Sequence, residues 1–79
     1  MLIPLCDIKP GQSARICHLA NDSLMAKRLN DLGFEPDALV SCVLKRKNSI
    51  AAYLVRNAVI ALRDEDSRFI LAEKAEAAL

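Results

Sequence analysis

Aromatic residues make up only 4% of this sequence, so any core it builds has to be aliphatic. Histidine occurs once, which leaves no imidazole pair for a metal centre or a proton relay. No Gly-rich phosphate loop and no Ser in a Gly-x-Ser-x-Gly turn is present, and with no other nucleophile and base in an evident arrangement the chain is not expected to be an enzyme. A charge excess is also lacking: 11 Lys and Arg stand against 10 Asp and Glu, a net +1, far from the basic surplus that marks phosphate-backbone binding. Nucleic acid is therefore an unfavoured partner on overall charge. No apolar run approaches the roughly 20 residues needed to span a bilayer, and the first residues lack the pattern of a secretory signal, so the expected location is the cytoplasm. Three cysteines, Cys6, Cys17 and Cys42, form an odd set without CxxC spacing. They suit a reducing compartment and read as small buried hydrophobes, not as a disulfide framework.

What is present is a dense apolar content, 53% against 27% charged, in 79 residues. That composition describes one packed domain over residues 1–79, small enough to bury only about 60 to 65% of its unfolded surface. One segment carries a helical period, Leu24 to Phe34: Met25, Leu29 and Leu32 fall on one face with Leu24 and Phe34 flanking, while Lys27, Asn30 and Asp31 lie off it. Asn21, Asp22 and Ser23 supply side-chain oxygens for the first turn, and Gly33 supplies a left-handed stop.

The rest reads as short strands. Pro4, Pro10 and Gly11 punctuate a lead-in whose Leu2, Leu5 and Ile8 lie across the core. Strands are expected over Ser13–Leu19 (Ala14, Ile16 and His18 on one face), over Ala38–Leu44 (Val40, Cys42 and Leu44 on one face), over Ile50–Val55, over Ala58–Arg63 and over Phe69–Ala72. Lys45-Arg46-Lys47-Asn48-Ser49 is the hairpin loop between the second and third of these, and Asp64 to Arg68 is a charged turn or one helical turn. Glu73 to Leu79 reads as a frayed or weakly helical tail. The fold class is mainly β, a small, partly open five-stranded barrel capped by one helix between its first two strands.

Three pieces carry a resemblance: Ile8-Lys9-Pro10-Gly11 before the first strand, Arg28-Leu29 with Leu32-Gly33-Phe34 at the helix end, and Ile60-Ala61-Leu62-Arg63 in the fourth strand. In this order and spacing they resemble the ferrous iron transport protein A (FeoA) family from about Leu5 to Leu71. The resemblance implies an SH3-like barrel in the bacterial or archaeal cytoplasm. It implies a non-enzymatic accessory of iron transport, a protein–protein interaction module acting on the cytoplasmic, GTP-binding part of the ferrous iron permease FeoB, and reaching the membrane only through that partner. A related domain occurs at the C-terminus of metal-responsive repressors, which makes an SH3-like regulatory domain of metal-responsive or nucleic-acid-associated type the alternative. Where members usually carry Gly after the helix and before the Ala-Leu-Arg strand, this chain has Asp37 and Asn57, both tolerant of positive φ. Its Lys45–Ser49 loop also departs from a Gly-Asp-Pro-like family pattern.

The expected partner-binding residues are the exposed helix edge, Lys27, Arg28, Asp31 and the turn at Gly33, ahead of the basic hairpin Lys45, Arg46 and Lys47 and of Arg63. Leu32 and Phe34 are read as core. Arg28 and Arg63 have Asp31, Asp64, Glu65 and Asp66 as potential ion-pair partners. No cofactor is expected, and no metal ligands: iron binding by the cysteines or by Asp64 to Asp66 stands behind the solvated-turn reading, because consecutive acidic residues seldom converge on one ion. Self-association is expected to be absent or weak.

Overall fold

The computed structural model describes residues 1–75. Its elements are β1 (Ile3–Pro4), a 3-10 turn (Leu5–Asp7), β2 (Ser13–Leu19), α1 (Ser23–Leu32), β3 (Leu39–Arg46), β4 (Ile50–Val55), β5 (Ala58–Arg63), α2 (Asp64–Ser67) and β6 (Ile70–Ala75). The strands form one antiparallel open sheet in the order β1-β6-β2-β3-β4-β5. Six strands replace the expected five because Ile3 and Pro4 pair with Ala72 and Leu71. Pro4, which has no N–H for a ladder, is tolerated there because β1 is an edge.

Two slips in register break the regular alternation expected along β2 and β3. β2 shifts against β6 between Ile16 and His18, and β3 shifts against β4 between Cys42 and Leu44. Each bulge reverses which parity faces inward. Ala14 and Ile16 are buried as expected, but His18 emerges on the exposed side and Leu19 turns in. Likewise Val40 and Cys42 are buried, whereas Leu44 is exposed.

The turns are set by positive φ. Asp37 (74°) and Asn57 (62°) take the left-handed conformation for which Gly would otherwise be used. Arg56 (50°) and Asn57 together make the two-residue hairpin turn between β4 and β5, with the primed geometry that matches strand twist. Ser49 (63°) closes a loop of only Lys47, Asn48 and Ser49, since Lys45 and Arg46 belong to β3 and face Ala51 and Ile50. The basic pentad is thus half strand and half loop. At the other end, β6 continues through Glu73, Lys74 and Ala75, which pair with Arg15, Ala14 and Ser13. A frayed or helical start to the tail is therefore corrected: an existing strand edge satisfies the backbone better than a helix too short to persist alone. The rest of that segment, 76–79, lies outside the described residues.

The core is aliphatic at Leu5, Ile8, Ile16, Leu29, Val40 and Ile70, yet its two largest buried side chains are Tyr53 and Phe34. Their rings meet edge to face, 6.4 Å between centroids at 89°. Two of the three aromatics thus sit at the centre while Phe69 is exposed, so an all-aliphatic core is not what forms. Only Cys42 of the three thiols is buried; Cys6 is half-buried and Cys17 exposed.

Candidate functional site

Helix α1 is fixed at both ends by its own sequence. The Asp22 carboxylate accepts from the Met25 amide at 3.0 Å. At the other end Gly33, at φ 109°, donates to the Asn30 carbonyl at 3.0 Å, and Phe34 N–H donates to the Leu29 carbonyl at 2.9 Å. This paired closure brings the buried side chains of Leu29 and Phe34 together as its hydrophobic seal.

That seal orients the helix. Leu29 is 1% exposed and Met25 packs on the core, and the flank of the helix beside them points to solvent. Leu24, Arg28 and Leu32, four residues apart, align along it, and Leu24 is 66% and Leu32 46% exposed. Lys27 and Asp31 flank this stripe and are exposed too. Leu32 is accordingly not core, because the helix rotates to serve Met25 and Leu29. The result is an arginine between two exposed leucines, the mixture of guanidinium and apolar area that interfaces favour. Gly33 is buried and adds backbone geometry, not contact surface: Arg56 Cδ and Cγ lie 3.0 and 3.2 Å from where its Cβ would sit. Arg56 continues across it to an ion pair with Glu35, a link not legible from the sequence spacing.

The second set of candidate residues gathers elsewhere. Arg46 faces Ile50 and Ile50 faces Arg63, so Arg46, Ile50 and Arg63 make one row across β3, β4 and β5 beside Lys47. Arg63 reaches Glu65 at 3.5 Å on an exposed surface, a pair worth little. Lys45 is not free to project, because its ammonium donates to the Cys6 carbonyl. Asn48, Ser49, Ile50, Arg63 and Glu65 line a shallow cleft at this end. The helix set adjoins the Val55 end of β4 and the basic set its Ile50 end, about 17 Å apart along the strand. The structure therefore does not unite them into one surface.

The remaining chemistry is muted. Burial pushes the Cys6 thiol up, with Asp7 and Asp64 adding to it against Lys45. Burial also raises the Cys42 thiol, Lys45 opposing. Both thiols stay protonated at neutral pH, the unreactive form. Among the described residues no three of His, Cys, Asp and Glu converge in a metal-binding group, and no helix is long and apolar enough to cross a membrane.

A family model described as FeoA domain matches residues 3–74. No curated protein matches by sequence. Among solved structures, a crystal structure of an iron uptake regulatory protein (FeoA) superposes with TM-score 0.87 at 16% identity, covering 95% of this chain and 100% of that one. FeoA protein from Chlorobium tepidum gives 0.85 at 18% identity over 91% of this chain and 70% of that one. A manganese-dependent transcriptional repressor gives 0.83 at 13% identity, covering 94% of this chain but 41% of the repressor. At these identities the structures report a shared fold.

Proposed function

The chain belongs to the FeoA domain family, and from that premise we propose that it is a cytoplasmic, non-enzymatic accessory of ferrous iron uptake that docks on the GTP-binding cytoplasmic domain of the ferrous iron permease FeoB. The observation that carries the reading is the family match over residues 3–74, and the exposed Leu24–Arg28–Leu32 stripe of α1 supplies a surface suited to docking. Titration of the chain against the permease's soluble GTP-binding domain tests it. Saturable binding that weakens when Arg28 is changed supports the reading. No binding, together with unchanged iron accumulation after deletion of the gene, overturns it.

A second reading rests on the fold shared with the manganese-dependent transcriptional repressor, a regulatory domain using the Arg46, Lys47 and Arg63 row. Nucleic-acid binding that persists at physiological salt and is lost in Arg46→Ala/Lys47→Ala would favour it over the first.

A further inference from the structure

Strand register lays out the outer face of β3, β4 and β5 in three rows. Ser41, Leu54 and Val59 form the first, Leu44, Ala52 and Ala61 the second, and Arg46, Ile50 and Arg63 the third. The first two rows are aliphatic save for Ser41. In them Leu44 is 45%, Leu54 40% and Val59 61% exposed, and Val43, the extra residue of the bulge, is exposed beside Leu44. The Ser41 hydroxyl is already engaged with that of Ser13 at 2.7 Å. Large hydrophobic side chains gathered on one solvent face mark a contact surface. Protein interfaces carry about one hydrogen bond per 100 to 200 Å². Rows without a free polar side chain give a protein partner little to read, whereas hydrocarbon asks for none.

Charge sits at one border of this face. Arg46 and Arg63 bracket Ile50, Lys47 follows in the loop, and no residue in the three rows is acidic. Arg46 and Lys47 make no ion pair among the described residues, and Arg63 meets Glu65 only at 3.5 Å on an exposed surface. Asp64 lies on the other side of the sheet's end, where its charge acts on the Cys6 thiol and on Tyr53. Asn48 and Ser49 line the cleft beside Arg63 with an amide and a hydroxyl. Aliphatic rows that end on guanidinium, amide and hydroxyl groups match an amphiphile whose anionic oxygens cap a hydrocarbon body. We propose that this face rests on the surface of an anionic phospholipid bilayer, with Leu44, Leu54 and Val59 against the upper acyl chains and Arg46, Lys47 and Arg63 on the headgroup phosphates. The contact is independent of docking on the permease, since α1 contributes no residue to the face.

Co-sedimentation of the purified, reduced chain with phosphatidylglycerol vesicles and with phosphatidylcholine vesicles at low salt tests this. Binding to the first and not to the second is the expected result. Leu54→Ser/Val59→Ser and Arg46→Gln/Lys47→Gln should each weaken it by about tenfold or more with circular dichroism unchanged, because neither a small apolar contact nor a few charges hold a bilayer alone. Leu2→Ser, as exposed but off these strands, should bind like the parent. Excess glycerol phosphate should not displace the chain. No binding to phosphatidylglycerol vesicles overturns the proposal. So does binding that survives Leu54→Ser/Val59→Ser, or that glycerol phosphate displaces, which would leave an anion site alone. A chain that ignores vesicles but loses affinity for the permease's GTP-binding domain in Leu54→Ser/Val59→Ser would assign the face to a protein instead.

Discussion

The side chain of Arg56 lies directly over Gly33, its Cδ 3.0 Å from the position a Cβ would take, and its guanidinium pairs with Glu35 just beyond. The β4–β5 turn thereby clamps the C-terminal end of α1 against the sheet. Gly33→Ala meets two penalties, a left-handed backbone at φ 109° and displacement of Arg56 and Val55. The expected loss is about 1 to 3 kcal/mol, read by urea denaturation. A loss as small in Gly33→Ala as in an exposed Ala61→Ser would contradict the clamp.

Helix α1 has a second, sharper test in two leucines three residues apart. Leu29 is fully buried in the closure with Phe34, while Leu32 is 46% exposed. Leu29→Ala should cost about 2 to 5 kcal/mol and Leu32→Ala well under 1. Thermal melts of the two variants compare them directly, and comparable losses would mean that the helix is rotated from its described position.

These two leucines also show what could be read in the sequence. The helix, a capped start within Asn21 to Ser23 and its Gly33 end were legible because capping is local chemistry, and the structure picks Asp22 as the cap. So were the left-handed sites at Asp37 and Asn57, where a side chain stands in for glycine. The rotation of the helix was not, since Met25, Leu29 and Leu32 all fit a 3.6-residue period and only the sheet beneath decides between them. Bulges at Cys17 and Val43 were hidden for a related reason: a slip is a property of two strands, and His18 and Leu44 change face without any local signal. Of the site residues, the exposure of Lys27, Arg28 and Asp31 followed from periodicity. The Lys45 contact with Cys6 and the reach of Arg56 to Glu35 depend on segments distant in sequence.

Tyr53 gives a spectroscopic handle on the core. Its hydroxyl is buried near that of Ser67 with neither making a hydrogen bond of normal geometry, and burial pushes its pKa up to about 12 against the opposing effect of the Ser67 hydroxyl. The folded state thus holds its proton more tightly than the unfolded chain. The stabilising difference is complete below about pH 10 and is lost as pH rises toward about 12. Because this is the one tyrosine and tryptophan is absent, tyrosinate absorbance reports the group alone. Its titration midpoint should lie well above that of the unfolded chain in urea. Tyr53→Phe should retain stability at neutral pH, since it removes a buried hydroxyl that makes no hydrogen bond of normal geometry, and should flatten the alkaline loss.

The two exposed sets of charges predict different signatures of docking. If α1 makes the contact, Arg28→Glu reverses the charge between Leu24 and Leu32, and affinity for the permease's GTP-binding domain should fall by about tenfold or more. Thermal stability should hold, because Arg28 is exposed and has no ion pair among the described residues. Lys47→Glu, at the far end of β4 on an exposed loop, should leave affinity within about twofold if the hairpin is only a solvated tip. Calorimetric titrations of both variants at low and physiological salt separate the surfaces. A docking face built on Leu24, Arg28 and Leu32 keeps much of its affinity as salt rises, since apolar area is not screened. A contact carried by Arg46, Lys47 and Arg63 would weaken steeply with salt. Binding unchanged in Arg28→Glu but abolished in Lys47→Glu would move the site from the helix to the hairpin end of the sheet.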